Sequence, residues 1–197
     1  MPLYIPPAPA PALRSVLAAL DSPTAVREAR TPALRAAQGP LTPEPALPVH
    51  VLDRIIASGE PPRTRLNGWR FLIRSGDDRA VAAADAKLTA DGWTFSHFFE
   101  GPYISATENA LRQADAMSAH YQPRLLSVPQ LYMLTLWLHV DTGPEDSDTG
   151  STPAPSDLLV PLAPAPPGIA AHRPHRVSEL LPMMTLRLEP PLLGSPA

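Results

Sequence analysis

The stretch Leu131–Val140, LYMLTLWLHV, decides the reading of this chain. Its length suits one long strand. Side chains of a strand alternate between two faces, so a run that is apolar at both odd and even positions belongs in a sheet covered on both sides. Just upstream, Arg124–Val128 reads as a strand and Pro129-Gln130 as a turn or bulge. Downstream, Asp157–Leu162 reads as another strand, most simply antiparallel to 131–140. Pro161 sits near its end, where a missing N–H costs least.

Working further upstream, Trp93–Glu100 (WTFSHFFE) reads as a strand with Trp93, Phe95 and either His97 or Phe98 inward. Gly101 breaks it, and Pro102 stands at the first position of the next helix, where proline fits. Ile104, Thr107, Ala110, Leu111 and Ala114 mark that helix's buried face, and it is expected over 102–118. The segment Arg79–Leu88 (RAVAAADAKL) is rich in alanine and would suit a helix capped by Asp77. The turn signals SGDD and TADG flank it so closely that a strand in a three-strand meander is the better reading. Trp69, Phe71 and Ile73 alternate with Arg70, Leu72 and Arg74 as in a strand. Trp69, Trp93 and Trp137 read as core residues.

The flanks differ in kind. The 197 residues contain 28 prolines, far above the usual share of roughly 5%, and most lie outside the centre. Residues 1–12 form a proline-alternating leader that samples polyproline II as an unfolded tail, or else lies on the domain or a partner, anchored by Tyr4 and Ile5. Residues 13–60 read as short helices. Leu13, Val16, Leu17 and Leu20 repeat at helical spacing, Ser22-Pro23 and Thr31-Pro32 are helix starts, and a third helix is expected over Val49–Ser58 with Gly59 as its stop. The loop GEPPRT, Gly59–Thr64, marks a boundary, and 67–162 reads as the core domain. Residues 163–197 read as an irregular Pro-rich segment, in which Ser178 and Glu179 start one helical turn that Pro182 limits.

The expected architecture is therefore α+β. One antiparallel sheet of five or six strands carries one main helix, preceded by short N-terminal helices and flanked by Pro-rich ends.

The formal net charge of −3 argues against nucleic acid as a partner, because such proteins carry a basic patch or stripe. No run approaches the roughly 18 apolar residues of a membrane span. Met1–Ala12 lacks the basic and apolar regions of a signal peptide. The absence of cysteine removes disulfides, thiolate metal sites and a Cys nucleophile, and it fits a cytoplasmic setting. Lys87 is the sole lysine. With the alanine and proline load, that reads as the composition of a high-GC bacterial genome.

No phosphate-loop motif, G-x-S-x-G elbow or HExxH pair occurs. The acidic loop 141–156 carries Asp141, Glu145, Asp146 and Asp148, but its spacing fails as a calcium loop: Gly150 falls where a ligand is needed. His172 and His175 could chelate a metal from a helix, but Pro174 lies between them. His97, His120 and His139 fall on different elements. The constellation that most resembles a site is HFFEGPYISATE, where Glu100 stands at a strand end before a helix start. Glu100 either caps that helix or serves as acid or base beside His97 and Tyr103. No cofactor is implied. The reading that follows is a non-catalytic interaction or accessory protein that meets a protein partner or a copy of itself. The alternatives are a small-molecule binder or enzyme with a pocket around Glu100, and a structural protein that self-assembles through a sheet edge.

Overall fold

A computed structural model describes residues 3–52, 63–76, 79–140 and 152–188. Three short helices lead: α1 (Ala10–Leu20), α2 (Pro23–Glu28) and α3 (Pro32–Ala36). Four strands follow, β1 (Thr42–Leu52), β2 (Thr64–Arg74), β3 (Ala80–Thr89) and β4 (Gly92–Phe99), then α4 (Pro102–Asp115). The chain continues through β5 (Gln122–Val128), a 3-10 turn at Pro129–Leu131, β6 (Met133–His139), β7 (Leu158–Pro161), β8 (His175–Arg176) and α5 (Val177–Leu188).

Among the described residues, eight strands form one sheet in the order β4-β3-β2-β1-β5-β6-β7-β8. Every neighbouring pair is antiparallel except β1 and β5, which run parallel through Val49↔Leu125 to Val51↔Ser127. The fold is α+β as expected, but the sheet is larger than five or six strands and is mixed rather than antiparallel. The sheet also reaches beyond 67–162, to β1 on one side and β8 on the other.

The largest correction concerns β1. Residues 49–52 are strand, not the start of a helix; the rest of the expected helix, 53–58, lies outside the described residues. Val51 and Leu52 do sit at positions that suit a helix face, but Val49–Val51 take up hydrogen bonding between β2 and β5. Proline is normally excluded from central strands. Here Pro43, Pro45 and Pro48 all precede Val49, in the part of β1 that pairs with β2 alone.

The leader lies on the domain rather than trailing as a tail. Leu3 bridges Tyr121 in parallel fashion, and the Tyr4 amide donates to the Tyr121 carbonyl at 2.8 Å. Leu3 and this backbone bond provide the anchor, whereas Tyr4 and Ile5 stay 48% and 38% exposed.

Helices cover both faces. On one face α4 packs Ile104, Ala110, Leu111 and Ala114 over Leu47, Leu72, Ala83, Leu125, Leu136 and Val160. On the other, α1 lays Ala12, Val16 and Ala19 against Ala82, Ala84, Ala86, Phe71 and Phe98. Its buried face is thus turned from the expected leucine stripe toward the alanines, and Leu17 is left 40% exposed. Alanine on helix and strand alike lets α1 approach β3 closely. Burial on both faces also explains why an alanine-rich segment settles as a strand, since strand preference is set by packing more than by intrinsic propensity.

The same face continues under α5, where Val177, Leu180 and Met184 cover Leu126, Val128, Trp137 and Leu159. This helix runs through Pro182, so the expected single turn is an underestimate. The apolar face that α5 buries outweighs the lost N–H at one half-buried or exposed turn.

Of the four register shifts in the described sheet, two bear on the sites below. In β2, Val49 faces Gly68 but His50 faces Leu66, so Asn67 is an extra residue that bulges. In β4, Asp85 faces His97 but Ala86 faces Phe95, so Ser96 is extra. Each bulge shifts the alternation of side chains by one. The second one puts Phe95 and Phe98 on the same face, with ring centroids 4.5 Å apart, and turns His97 outward. Gly68 is required where it stands, because a Cβ there would come within 2.4 Å of the Ala86 carbonyl oxygen.

Candidate functional site

The junction of β4 and α4 separates the three residues that the sequence groups together. Glu100 does not cap the helix that follows it. Its carboxylate Oε2 accepts from the Ala33 amide at 3.0 Å, in the first turn of α3. Thr31, the residue before α3, makes no side-chain cap, so Glu100 takes that role from a distant part of the chain. Gly101 begins α4 with φ 143° and ψ −179°, a backbone conformation open essentially only to glycine. Tyr103 points elsewhere: its hydroxyl lies 2.9 Å from the Tyr132 carbonyl and 3.1 Å from that of Pro164, which share its single proton. Burial raises its phenol above the ordinary value of 10.0. His97 lies beside Ser96 and against the Phe99 ring. Among the described residues, no hydrogen bond joins Glu100, His97 and Tyr103. Glu100 does line a shallow hollow of about 490 Å³ with Ala33, Arg79, Gly101, Ile104 and Ser105.

Of the remaining histidines, His120 is exposed just ahead of β5, and the other four divide between two places. His172 has φ 60° and donates its amide to the Pro161 carbonyl at 2.7 Å, while His175 lies on β8 opposite Leu159. Among the described residues there is no group of three or more His, Asp or Glu side chains able to hold a metal. His97 and His139 share the sheet, but β3, β2, β1 and β5 stand between their strands. The carboxylates Asp141, Glu145, Asp146 and Asp148 lie outside the described residues.

The structure reveals a second constellation, a buried polar row across β1, β5 and β6 on the α5 face. Its members are His50, Gln122, Arg124, Thr135, Trp137, His139 and Asp157, none more than 6% exposed. Arg124 donates through Nη2 to Gln122 Oε1 at 2.7 Å, and its guanidinium lies 5.0 Å from the Trp137 ring. The His50 ring meets Trp137 edge-on at 5.3 Å. Asp157 closes the row. Trp137 Nε1 and His139 Nδ1 donate to its Oδ2 at 2.7 and 2.8 Å, the Ala154 amide donates to the same oxygen, and the Val140 amide to Oδ1.

Burial by itself raises the Asp157 carboxyl. The bonds from His139, Trp137, Val140 and Ala154 outweigh it and hold the group below the usual 3.8. His50 has no such partners: burial first, then the nearby Arg124 and His139 charges, push it down to about 3, so it stays neutral. An Asp–His pair can orient an imidazole for proton transfer, but this one is closed from solvent. Its bonds tie β6 to the residues that lead into β7.

The signal for this row was present in the sequence at period two. Gln122 and Arg124 fall on one face of their strand, and Thr135, Trp137 and His139 on one face of theirs. Reading 131–140 as uniformly apolar hid it.

A groove of about 650 Å³ runs between the leader and β1. Ile5, Pro6, Pro7, Ala8 and Leu13 form one wall, Pro43, Pro45, Ala46 and Phe71 the other, with Glu44 and Arg74 at the margin. No family model, curated protein or solved structure matches this chain. No described helix is long and apolar enough to cross a membrane.

Proposed function

We propose that this is a non-catalytic interaction protein of a bacterial cytoplasm. It takes up an extended apolar segment of a protein partner in the leader groove, and it acts on neither nucleic acid nor membrane. The observation that supports this reading is the groove itself. The Pro-rich leader builds a wall of it instead of trailing free, burying Pro6 and leaving apolar surface at Ile5 and Pro7 open to solvent. Prolines on both walls offer no N–H, so recognition there rests on side-chain contact and on the Glu44 and Arg74 polar groups. The Glu100 carboxylate and the Tyr103 hydroxyl are meanwhile engaged in holding helices and turns.

Self-association through the sheet edge is less favoured. Among the described residues β4 is an unpaired edge without a charged side chain, but the Ser96 bulge twists it, a common device against edge pairing. The reading of an enzyme or small-molecule binder at Glu100 draws support only from the shallow hollow there.

The test is affinity capture from the source organism with the full chain and with Ile5→Asp. A partner retained by the native chain and lost by the variant, and then bound directly when purified, supports the reading. A chain that runs as a partnerless monomer, with the leader changed without consequence, ends it.

A further inference from the structure

Among the described strands β1 and β5 are the one parallel pair, and the chain leaves their C-terminal ends in opposite directions. β1 leads to β2 on one side and β5 to β6 on the other. In open sheets, such a divergence at the C-terminal ends of parallel strands leaves a crevice that ligands use. A pocket of about 100 Å³ lies there, on the α4 face but with no residue of α4 in its lining. Val49 and Leu134 form its apolar floor, and Asn67, Arg70, Asp85, Lys87 and Ser127 supply the polar groups.

Three features give this pocket a chemical character. First, Arg70 and Asp85 form a two-pronged pair, Nε to Oδ1 at 2.9 Å and Nη2 to Oδ2 at 3.0 Å, and the guanidinium stacks on Phe99 at 4.4 Å. The arginine is therefore held rigidly with further N–H groups to spare, and Asp85 spends both oxygens on it. Second, the side chains of Asn67, Lys87 and Ser127 make no hydrogen bond among the described residues. Lys87 is the only lysine in the chain. Third, the β2 bulge falls at Asn67, next to a glycine with no room for a side chain, and bulges commonly re-aim a side chain at a site. Lysine, arginine, amide and hydroxyl donors thus converge, with one carboxylate already neutralised. The lining carries one net positive charge on a chain of net charge −3.

We infer that this pocket binds a small oxyanion, either a free tetrahedral ion such as phosphate or the carboxylate end of a small molecule. Lys87 provides the charge, and Asn67, Ser127 and Arg70 the directed donors. The volume admits one such group and excludes a nucleotide base or sugar.

The test is calorimetric titration of the full chain with inorganic phosphate and separately with acetate, against chloride at matched ionic strength. The expected result is saturable binding of at least one of the two, weakened about tenfold or more by Lys87→Met, because a charge-assisted contact is lost. Ser127→Ala should weaken it less. Lys87 is exposed, so the variant should keep its circular dichroism and unfolding midpoint. Preference for phosphate over acetate assigns a tetrahedral ligand, and the reverse a carboxylate. Absence of saturable binding to both anions, or equal binding by native chain and Lys87→Met, overturns the inference.

Discussion

The sheet face that carries α1–α3 and α5 has two halves built on different principles. Over β3 and β4 the contact is alanine against alanine, with Ala82, Ala84 and Ala86 under Ala12, Val16 and Ala19, and aromatic rings at its margin. Toward β5 and β6 the same face buries an arginine, two histidines, a glutamine, a threonine and an aspartate beside Trp137. The first half is held by close approach of small side chains and contains no buried charged group. The second depends on the Asp157 carboxylate meeting each donor aimed at it. A buried polar group is costly when it loses its partner, whereas an apolar contact loses only area when trimmed. The two halves should therefore fail in different ways.

The largest effect is expected from Asp157→Ala. It strands the Trp137 indole, the His139 ring and two backbone amides in the interior. Urea unfolding should show a loss of about 3–5 kcal/mol, as for breaking a buried charged network. A loss below about 1 kcal/mol would mean that the polar half does not depend on this group.

Acid should act on the polar half next. The unfolded chain's His50 takes a proton below its ordinary 6.5, while the folded chain withholds it until about 3. The contribution is fully present above 6.5 and is lost as pH falls from there toward 3, at up to about 1.4 kcal/mol per pH unit. His50→Leu should flatten the stability profile between pH 6.5 and 4, above the range where Asp157 itself is protonated. An unchanged slope would show that other groups carry the acid sensitivity.

The alanine half should answer to size instead. Ala84→Leu inserts bulk where α1 and β3 meet, and should cost about 1–3 kcal/mol with no new pH dependence. Tolerance of leucine there would show that α1 can ride outward and that close approach is not what holds it.

Smallest is Glu100→Ala, which removes the side-chain cap of α3. Thermal unfolding should register about 1 kcal/mol or less, since this contact is solvent-exposed. Any measurable turnover that Glu100→Gln abolishes without loss of stability would instead restore an acid–base role at this junction.

Much of the central fold was legible in local pattern. The turns around 79–88, the Gly101-Pro102 start of α4 and the apolar run at 131–140 each rest on interactions within a few residues, and each element stands within three residues of where the sequence places it. α4 ends at Asp115 rather than 118, and the strand expected from Leu131 begins at Met133, because Leu131 belongs to the 3-10 turn and Tyr132 is left-handed. The Ser22 cap was equally readable, and its Oγ accepts from the Ala25 amide at 3.3 Å. The run through Val49, Val51 and Leu52 misled, because the partners that make it a strand, Gly68 and Leu125, are distant in sequence. α5 misled for a related reason: whether a helix survives Pro182 depends on what it covers, and Trp137 and Leu159 are nowhere near it along the chain.

The grouping of Glu100 with His97 and Tyr103 rested on proximity in sequence, and a bulge and a helix start send the three apart. The polar row joins His50 to Asp157 across more than half the chain.

By itself, then, the sequence determined the α+β class, the main helix and the strands beside it, along with the absence of cysteine chemistry and of the common catalytic motifs. Only the tertiary structure decided that the sheet has eight strands around a parallel pair, that the leader is a groove wall, that Glu100 caps a remote helix, and that Lys87 stands at a strand junction. The physical reason is one of range. Turn chemistry, capping and periodicity act over a few residues and are written locally. Pairing of β1 with β5, burial of charged groups and the convergence of donors depend on which surfaces meet when the whole chain folds.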